Sequence, residues 1–176
     1  IVDYRFSSLP GLAVSKPDAN GNMKLFVAGA NTHLPGTQVY WIDITNAGVS
    51  AAQQIWTNNL GFSTCEVDLS PDGTKLAFVR FDERKVKEYT FDTYNNNLYP
   101  DKVTFKYPKA GEDNSLVSVH IYDLKSTKTI NVELGTELDI YIPRIKWTTD
   151  PNCLSVQRMN RLQNKLELFF ANASTG

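Results

Sequence analysis

Cysteine is scarce: only Cys65 and Cys153 occur in 176 residues. That excludes a scaffold stapled by several disulfides and a metal site built from four thiolates. The two could form one bridge, but nothing in the sequence forces them together, and each reads as a small apolar packing residue. Histidine is equally rare, His33 and His120 standing alone with no second ligand at metal spacing, so no metal and no cofactor is expected. Neither charge sign dominates, with Lys plus Arg at 18 against Asp plus Glu at 19 for a net charge of -1. No positive field therefore exists to attract nucleic acid or an anionic membrane. No apolar run approaches the roughly 20 residues that span a bilayer. The N-terminus, Ile1-Val2-Asp3-Tyr4-Arg5, does not read as a signal peptide, and the absence of an initiator Met suggests a processed or excised chain. At 41% hydrophobic residues the chain is too apolar for disorder and is expected to fold as one domain or part of a larger one.

Helical periodicity is missing as well, while strand signals recur. Val117-Ser118-Val119-His120-Ile121-Tyr122-Asp123-Leu124 alternates, placing Val117, Val119 and Ile121 on one face and Ser118, His120 and Tyr122 on the other. Val39 to Ile44 and Leu166 to Ala171 have the same texture, and each of the three runs is followed by polar turn residues. A second element precedes each of them. Ser70-Pro71-Asp72-Gly73-Thr74-Lys75 feeds Leu76-Ala77-Phe78-Val79; Thr148-Thr149-Asp150-Pro151-Asn152 feeds Cys153-Leu154-Ser155-Val156; Lys16-Pro17-Asp18-Ala19-Asn20-Gly21-Asn22 feeds Met23 to Val27. Pro presets φ, Asp or Asn bonds the backbone, and Gly or Asn accepts a positive φ in the tight turn.

The spacing turns these runs into a repeat. Val39 to Leu76 is 37 positions and Val119 to Leu154 is 35, so each unit hands over to the next at nearly constant distance. Within a unit, Leu25 to Val39 is 14 and Leu154 to Leu166 is 12, but Leu76 to Val119 is 43, which is 29 more than in the first unit. Without that insertion the period falls in the high forties, the range of four-stranded β-propeller blades. The expectation is an all-β, partial β-propeller of about three to four antiparallel blades over residues 1–176. Its blade units fall at about 16–60, 65–135 and 141–176, with an inserted arm at about 82–110. Propellers close with about 4–8 blades, so such a chain is expected to be a segment of a larger propeller or to borrow surface by oligomerising.

Several strings carry a family resemblance. Leu69-Ser70-Pro71-Asp72-Gly73-Thr74-Lys75-Leu76-Ala77-Phe78-Val79-Arg80-Phe81-Asp82-Glu83, Tyr107-Pro108-Lys109-Ala110-Gly111, Tyr141 to Trp147, Met159 to Asn164 and Phe170-Ala171-Asn172 occur in family order. Over residues 65 to 176 the chain resembles the N-terminal propeller of dipeptidyl peptidase IV, in the prolyl-oligopeptidase group of serine peptidases; residues 1 to 64 show only generic blade texture. The resemblance implies a secreted, cell-surface or periplasmic parent with an α/β-hydrolase domain that removes N-terminal X-Pro or X-Ala dipeptides. The propeller would gate peptide access, with the chemistry elsewhere.

Two departures matter. No Gly-x-Ser-x-Gly elbow occurs; the nearest string, Gly61-Phe62-Ser63-Thr64-Cys65, ends in Cys, and neither histidine lies in a triad context. No catalytic residue is therefore expected in this chain. The family's pair of glutamates before the Ser-Pro-Asp-Gly turn, which holds the substrate's amino terminus, is absent from Trp56 to Phe62. Glu66 and Asp68 are nearby, but a solvated strand face explains them better than that role. The insertion, by resemblance, is an arm reaching a second subunit, where Tyr89, Phe91, Tyr94 and Tyr99 could bury aromatic area in a homodimer.

Other residues read more plainly. The mixed charges from Asp82 to Glu88 suit a solvated stretch, and Asp18, Asn20 and Asn22 suit a turn better than a calcium loop. Arg144, Arg158 and Arg161 suit salt bridging better than a peptide carboxylate in a tunnel. Trp41, Trp56 and Trp147 suit packing between blades. Asn172-Ala173-Ser174 fits a glycosylation acceptor in a eukaryotic secretory source. Two other readings stay open: a stand-alone propeller-type binding or scaffold module contacting a protein or glycan, and a catalytically inactive peptidase homologue.

Overall fold

The computed structural model describes residues 11–30, 37–45, 47–50, 53–57 and 62–176, and every regular element in them is a strand. Gly11–Val14 (β1), Met23–Ala30 (β2), Thr37–Thr45 (β3), Gly48–Val49 (β4) and Gln53–Thr57 (β5) form one antiparallel sheet, in which β5 pairs with β3. Phe62–Leu69 (β6) and Lys75–Asp82 (β7) form a second with Leu116–Asp123 (β10) and Lys128–Asn131 (β11), in the order β11-β10-β7-β6. Ile140–Trp147 (β12), Cys153–Asn160 (β13) and Leu166–Asn172 (β14) form a third. Glu88–Thr93 (β8) and Asp101–Lys106 (β9) make a hairpin sheet of their own between β7 and β10. These are the blades of a partial β-propeller. The first sheet already begins at Gly11, ahead of residue 16.

The second blade shows why the sequence takes this form. Ser70 is buried, its hydroxyl donates to Asp72 Oδ1 at 2.6 Å, and its oxygen accepts the N–H groups of Thr74 and Lys75. Gly73 supplies the positive φ of 72° that closes the turn. The chain then enters β7, where Leu76, Ala77, Phe78 and Val79 are all essentially inaccessible. A strand alternating apolar and polar would bury one face only; this unbroken apolar run is buried on both. Leu76 and Phe78 join Phe26 and Val67 in the core shared with the first blade. Ala77 and Val79 join Val119, Ile121, Ile145, Trp147, Leu154 and Val156 in the core shared with the third.

On β10 the alternation seen in the sequence resolves the same way, with Val119 and Ile121 toward the third blade and His120 stacked on Phe78 toward the first, ring centroids 5.4 Å apart. Burial, and then the nearby Arg80 charge, push the His120 pKa down from 6.5 to about 4. The folded state thus binds fewer protons than the unfolded state between those values, and stability rises with pH across that window. Acidification from pH 6.5 toward 4 is expected to remove at most about 3 kcal/mol through this one group. Chemical denaturation as a function of pH checks it: His120→Gln should flatten the slope in this window, and an unchanged slope would contradict the assignment.

Candidate interaction sites: the inserted arm and the seam between blades

The arm begins at the end of β7. Asp82 fixes Arg84, whose Nη2 lies 2.6 Å from Oδ2, and Val86 turns inward to 2% exposure. The Val86 carbonyl accepts Lys106 Nζ at 2.9 Å, Tyr107 N–H donates to the Lys87 carbonyl at 3.0 Å, and Lys87 pairs with Glu112 at 2.6 Å. The segment from Asp82 to Glu88 is solvated on most of its charged side chains, as expected, and it also fastens the arm through Asp82, Val86 and Lys87.

Beyond the fastening, β8 and β9 pair Tyr89 with Phe105 and Phe91 with Val103. Alternation puts those four on one face, extended by Tyr107; Thr90 and Thr104 lie on the other, their hydroxyls 2.7 Å apart. Phe105 meets Tyr89, Phe91 and Tyr107 edge-on at 6.2, 5.8 and 5.9 Å, and the Lys109 ammonium sits 4.6 Å over the Tyr89 ring. Of the expected arm residues, Tyr89 and Phe91 therefore lie on the aromatic face, while Tyr94 and Tyr99 lie at the tip, 67% and 78% exposed, beside Leu98. Phe105 and Tyr107 complete the face. Their signal, Val103-Thr104-Phe105-Lys106-Tyr107, was a period-2 run within the insertion. A lone two-stranded hairpin is marginal in water. This one also exposes a large apolar area at its tip.

The second site is the seam between the second and third blades. Among the described residues strand β12 pairs with β13 along one edge only, leaving N–H groups on its other edge in need of acceptors. Glu66 and Asp68, on β6, supply them. Glu66 Oε2 accepts Ile145 N–H at 3.0 Å and Asp68 Oδ2 accepts Trp147 N–H at 2.9 Å. Asp68 also binds Lys146 Nζ at 2.8 Å through Oδ1, and its carbonyl accepts the Trp147 indole N–H at 3.0 Å. Burial pushes the Glu66 pKa up, against the Ile145 N–H and the Arg144 charge that pull it down. The solvated strand face expected for Glu66 and Asp68 is thus corrected: these half-buried carboxylates stand in for a neighbouring strand. Trp147 packs into the seam, 6% exposed.

Several of the remaining candidates have structural partners. Arg158 donates to the Leu134 carbonyl and lies over Phe169, with Glu167 at 3.7 Å. Arg161 binds Asp139 at 3.1 Å and the Glu112 carbonyl at 3.3 Å, tying the third blade to the arm's base. Arg144 is exposed on β12, opposite Gln157. The Asp18 carboxylate accepts the N–H groups of Asn20 and Asn22, as a turn does. Exposed Asn172 accepts the Ser174 N–H at 2.8 Å, and Cys153 holds a free thiol. Ser118 Oγ lies 2.9 Å from His120 Nε2. Two clefts, of about 830 Å³ beside the Ser70–Gly73 turn and about 470 Å³ beside Arg161, include neither of them. His33 and the side chains of Trp41, Trp56 and Cys65 lie outside the described residues. No helix among the described residues is long and apolar enough to cross a membrane.

Relatives share this architecture. The family model for the dipeptidyl peptidase IV (DPP IV) N-terminal region matches residues 64–176. Venom dipeptidyl peptidase 4 of Vespa velutina is 33% identical over 113 residues, covering 58% of this chain and 14% of the relative. Dipeptidyl peptidase 4 of Trichophyton rubrum is 32% identical over 104 residues, covering 54% and 13%. The crystal structure of Porphyromonas gingivalis dipeptidyl peptidase 4 aligns at a TM-score of 0.66 and 25% identity, over 91% of this chain and 31% of that one. A putative dipeptidyl aminopeptidase IV from Bacteroides ovatus aligns at 0.63 and 22% identity, over 93% and 28%, which speaks for the fold alone. The chain thus spans about one-seventh of the curated relatives' length. With the match covering more than half of its residues, the chain belongs to the dipeptidyl peptidase IV N-terminal region family.

Proposed function

We propose that this chain is the non-catalytic propeller portion of a serine-type dipeptidyl peptidase that releases N-terminal X-Pro or X-Ala dipeptides. In that role it limits access to a separate α/β-hydrolase domain by size and supports a homodimer through its arm. Secretion fits the venom relatives' names. A propeller of this kind contributes positioning and exclusion, while acyl transfer needs an activated serine and an oxyanion hole, and no Gly-x-Ser-x-Gly elbow occurs in this sequence.

The arm carries the proposal. A hairpin with five clustered apolar side chains on one face and Tyr94, Leu98 and Tyr99 bare at its tip gains stability only by covering them. Rigid aromatics of this kind give large contact area at low conformational entropy. Sedimentation velocity of the whole gene product tests it. The unaltered protein should sediment as a dimer, and Tyr94→Ser/Tyr99→Ser should weaken association at least about 100-fold, as expected for two interface anchors together. A dimer of unchanged strength would remove the proposed role of the arm.

A further inference from the structure

The two legs of the arm are tied to each other. Lys106 Nζ donates to the Val86 carbonyl, Tyr107 N–H donates to the Lys87 carbonyl, and the Lys87 ammonium pairs with the Glu112 carboxylate. Bonds of this kind close the base, but none of them fixes the direction in which the hairpin leaves the propeller. Nor do the hairpin's own strands, since β8 and β9 pair only with each other among the described residues. A direction needs a bond from one leg to a part of the molecule that does not move with the arm.

Arg161 makes such a bond. It stands on the turn between β13 and β14, where Asn160 Oδ1 accepts the N–H groups of Asn164 and Lys165 at 3.2 and 3.0 Å and Gln163 takes a φ of 56°. From this fixed turn the guanidinium divides. Nη1 donates to Asp139 Oδ1 at 3.1 Å, just ahead of β12, and Nη2 donates to the Glu112 carbonyl at 3.3 Å, on the arm's returning leg. Asp139 is itself placed by its own N–H, which donates to Glu137 Oε1 at 3.0 Å. The Arg161 side chain is only 26% exposed, so its bonds are partly shielded from water. A planar fork with donors on two nitrogens suits two acceptors at once, which an ammonium on a flexible stem does not.

The surroundings of this bond leave room for movement. A cleft of about 470 Å³ lies between the arm's base, at Lys85 and Gly111, and the third blade, at Glu137 and Asp139, with Arg161 on its wall. The returning leg is therefore not packed solidly against the third blade there. Gly111, next to Glu112, has a φ of 82° and open space where a side chain would begin.

We infer that Arg161 is the positioning residue of the arm: held by Asp139, it grips the Glu112 carbonyl and sets the angle at which the aromatic hairpin is presented to a partner copy. The angle follows from these bonds alone, whereas its effect on association rests on the dimer reading above. A partly exposed ion pair adds little to the stability of a fold, so the effect falls on the arm and not on the blades.

Hydrogen exchange of the whole gene product, read by mass spectrometry, tests it. In Arg161→Met the segment 107–112, whose Tyr107 and Glu112 amides close the base, should exchange at least about 10-fold faster, as loss of a charge-assisted bond allows. The core segment 153–157 should keep its rate. Arg161→Lys retains the charge without the fork and should recover only part of the protection. Unchanged exchange at 107–112 in Arg161→Met, equal acceleration at 153–157, or full recovery with lysine each overturns the inference. Sedimentation velocity of Arg161→Met should show association weakened at least about 10-fold; unchanged association beside faster exchange would remove the link between the arm's angle and its partner. A monomeric unaltered protein would instead defeat the dimer reading, and the exchange comparison would still decide the role of Arg161.

Discussion

Replacing Trp147 by alanine is expected to lower the unfolding free energy by about 4 kcal/mol, the middle of the range for removing a buried large aromatic. Three contributions add up at this site. The indole fills the core between the second and third blades at 6% exposure, among Ala77, Val79 and Val119. Its N–H is the donor to the Asp68 carbonyl at 3.0 Å, which loses that partner in the variant. The seam is formed by two sheet faces that cannot collapse independently of their ladders, so the cavity relaxes only partly. For a chain of this length the loss corresponds to a fall in Tm of about 10 °C or more. A fall below about 3 °C would mean that the seam does not stabilise the protein as described.

Asp68→Ala should be the second large effect, at about 2–3 kcal/mol, because it strands the Trp147 backbone N–H at a half-buried edge. Asp68→Asn separates geometry from charge. The amide oxygen can still accept that N–H, and the pair it loses involves a mostly exposed Lys146, worth about 0–1 kcal/mol. The expected order is therefore a small cost for asparagine and a large one for alanine, with faster hydrogen exchange at Trp147 only in the alanine variant. Equal costs would make the carboxylate's charge, rather than its bond to the edge, the source of stability.

How far the sequence shows this architecture depends on the range of the interaction concerned. Local patterns were legible: the alternation from Val117 to Asp123 set the two faces of β10, and the Ser70-Pro71-Asp72-Gly73 turn set the start of β7. The excess of residues between Leu76 and Val119 exposed an insertion because spacing is a one-dimensional quantity. That its hairpin gathers Tyr89, Phe91, Phe105 and Tyr107 on one face follows from register, which depends on where the tip reverses the chain. The seam was not legible. Glu66 and Ile145 are 79 positions apart, and a carboxylate on an alternating strand looks the same whether it meets water or a neighbouring blade's edge. Leu166, Leu168 and Phe170 likewise look like core residues in sequence, and only the third dimension shows them uncovered.

Active-site labelling of the whole gene product with a serine-directed fluorophosphonate, followed by peptide mapping, tests the central claim most directly. The expected result is Gly-Pro-type turnover that the reagent abolishes, with the labelled serine lying outside residues 1–176. A labelled serine within 1–176, or a well-folded full-length protein that neither turns over nor takes the label, would contradict it.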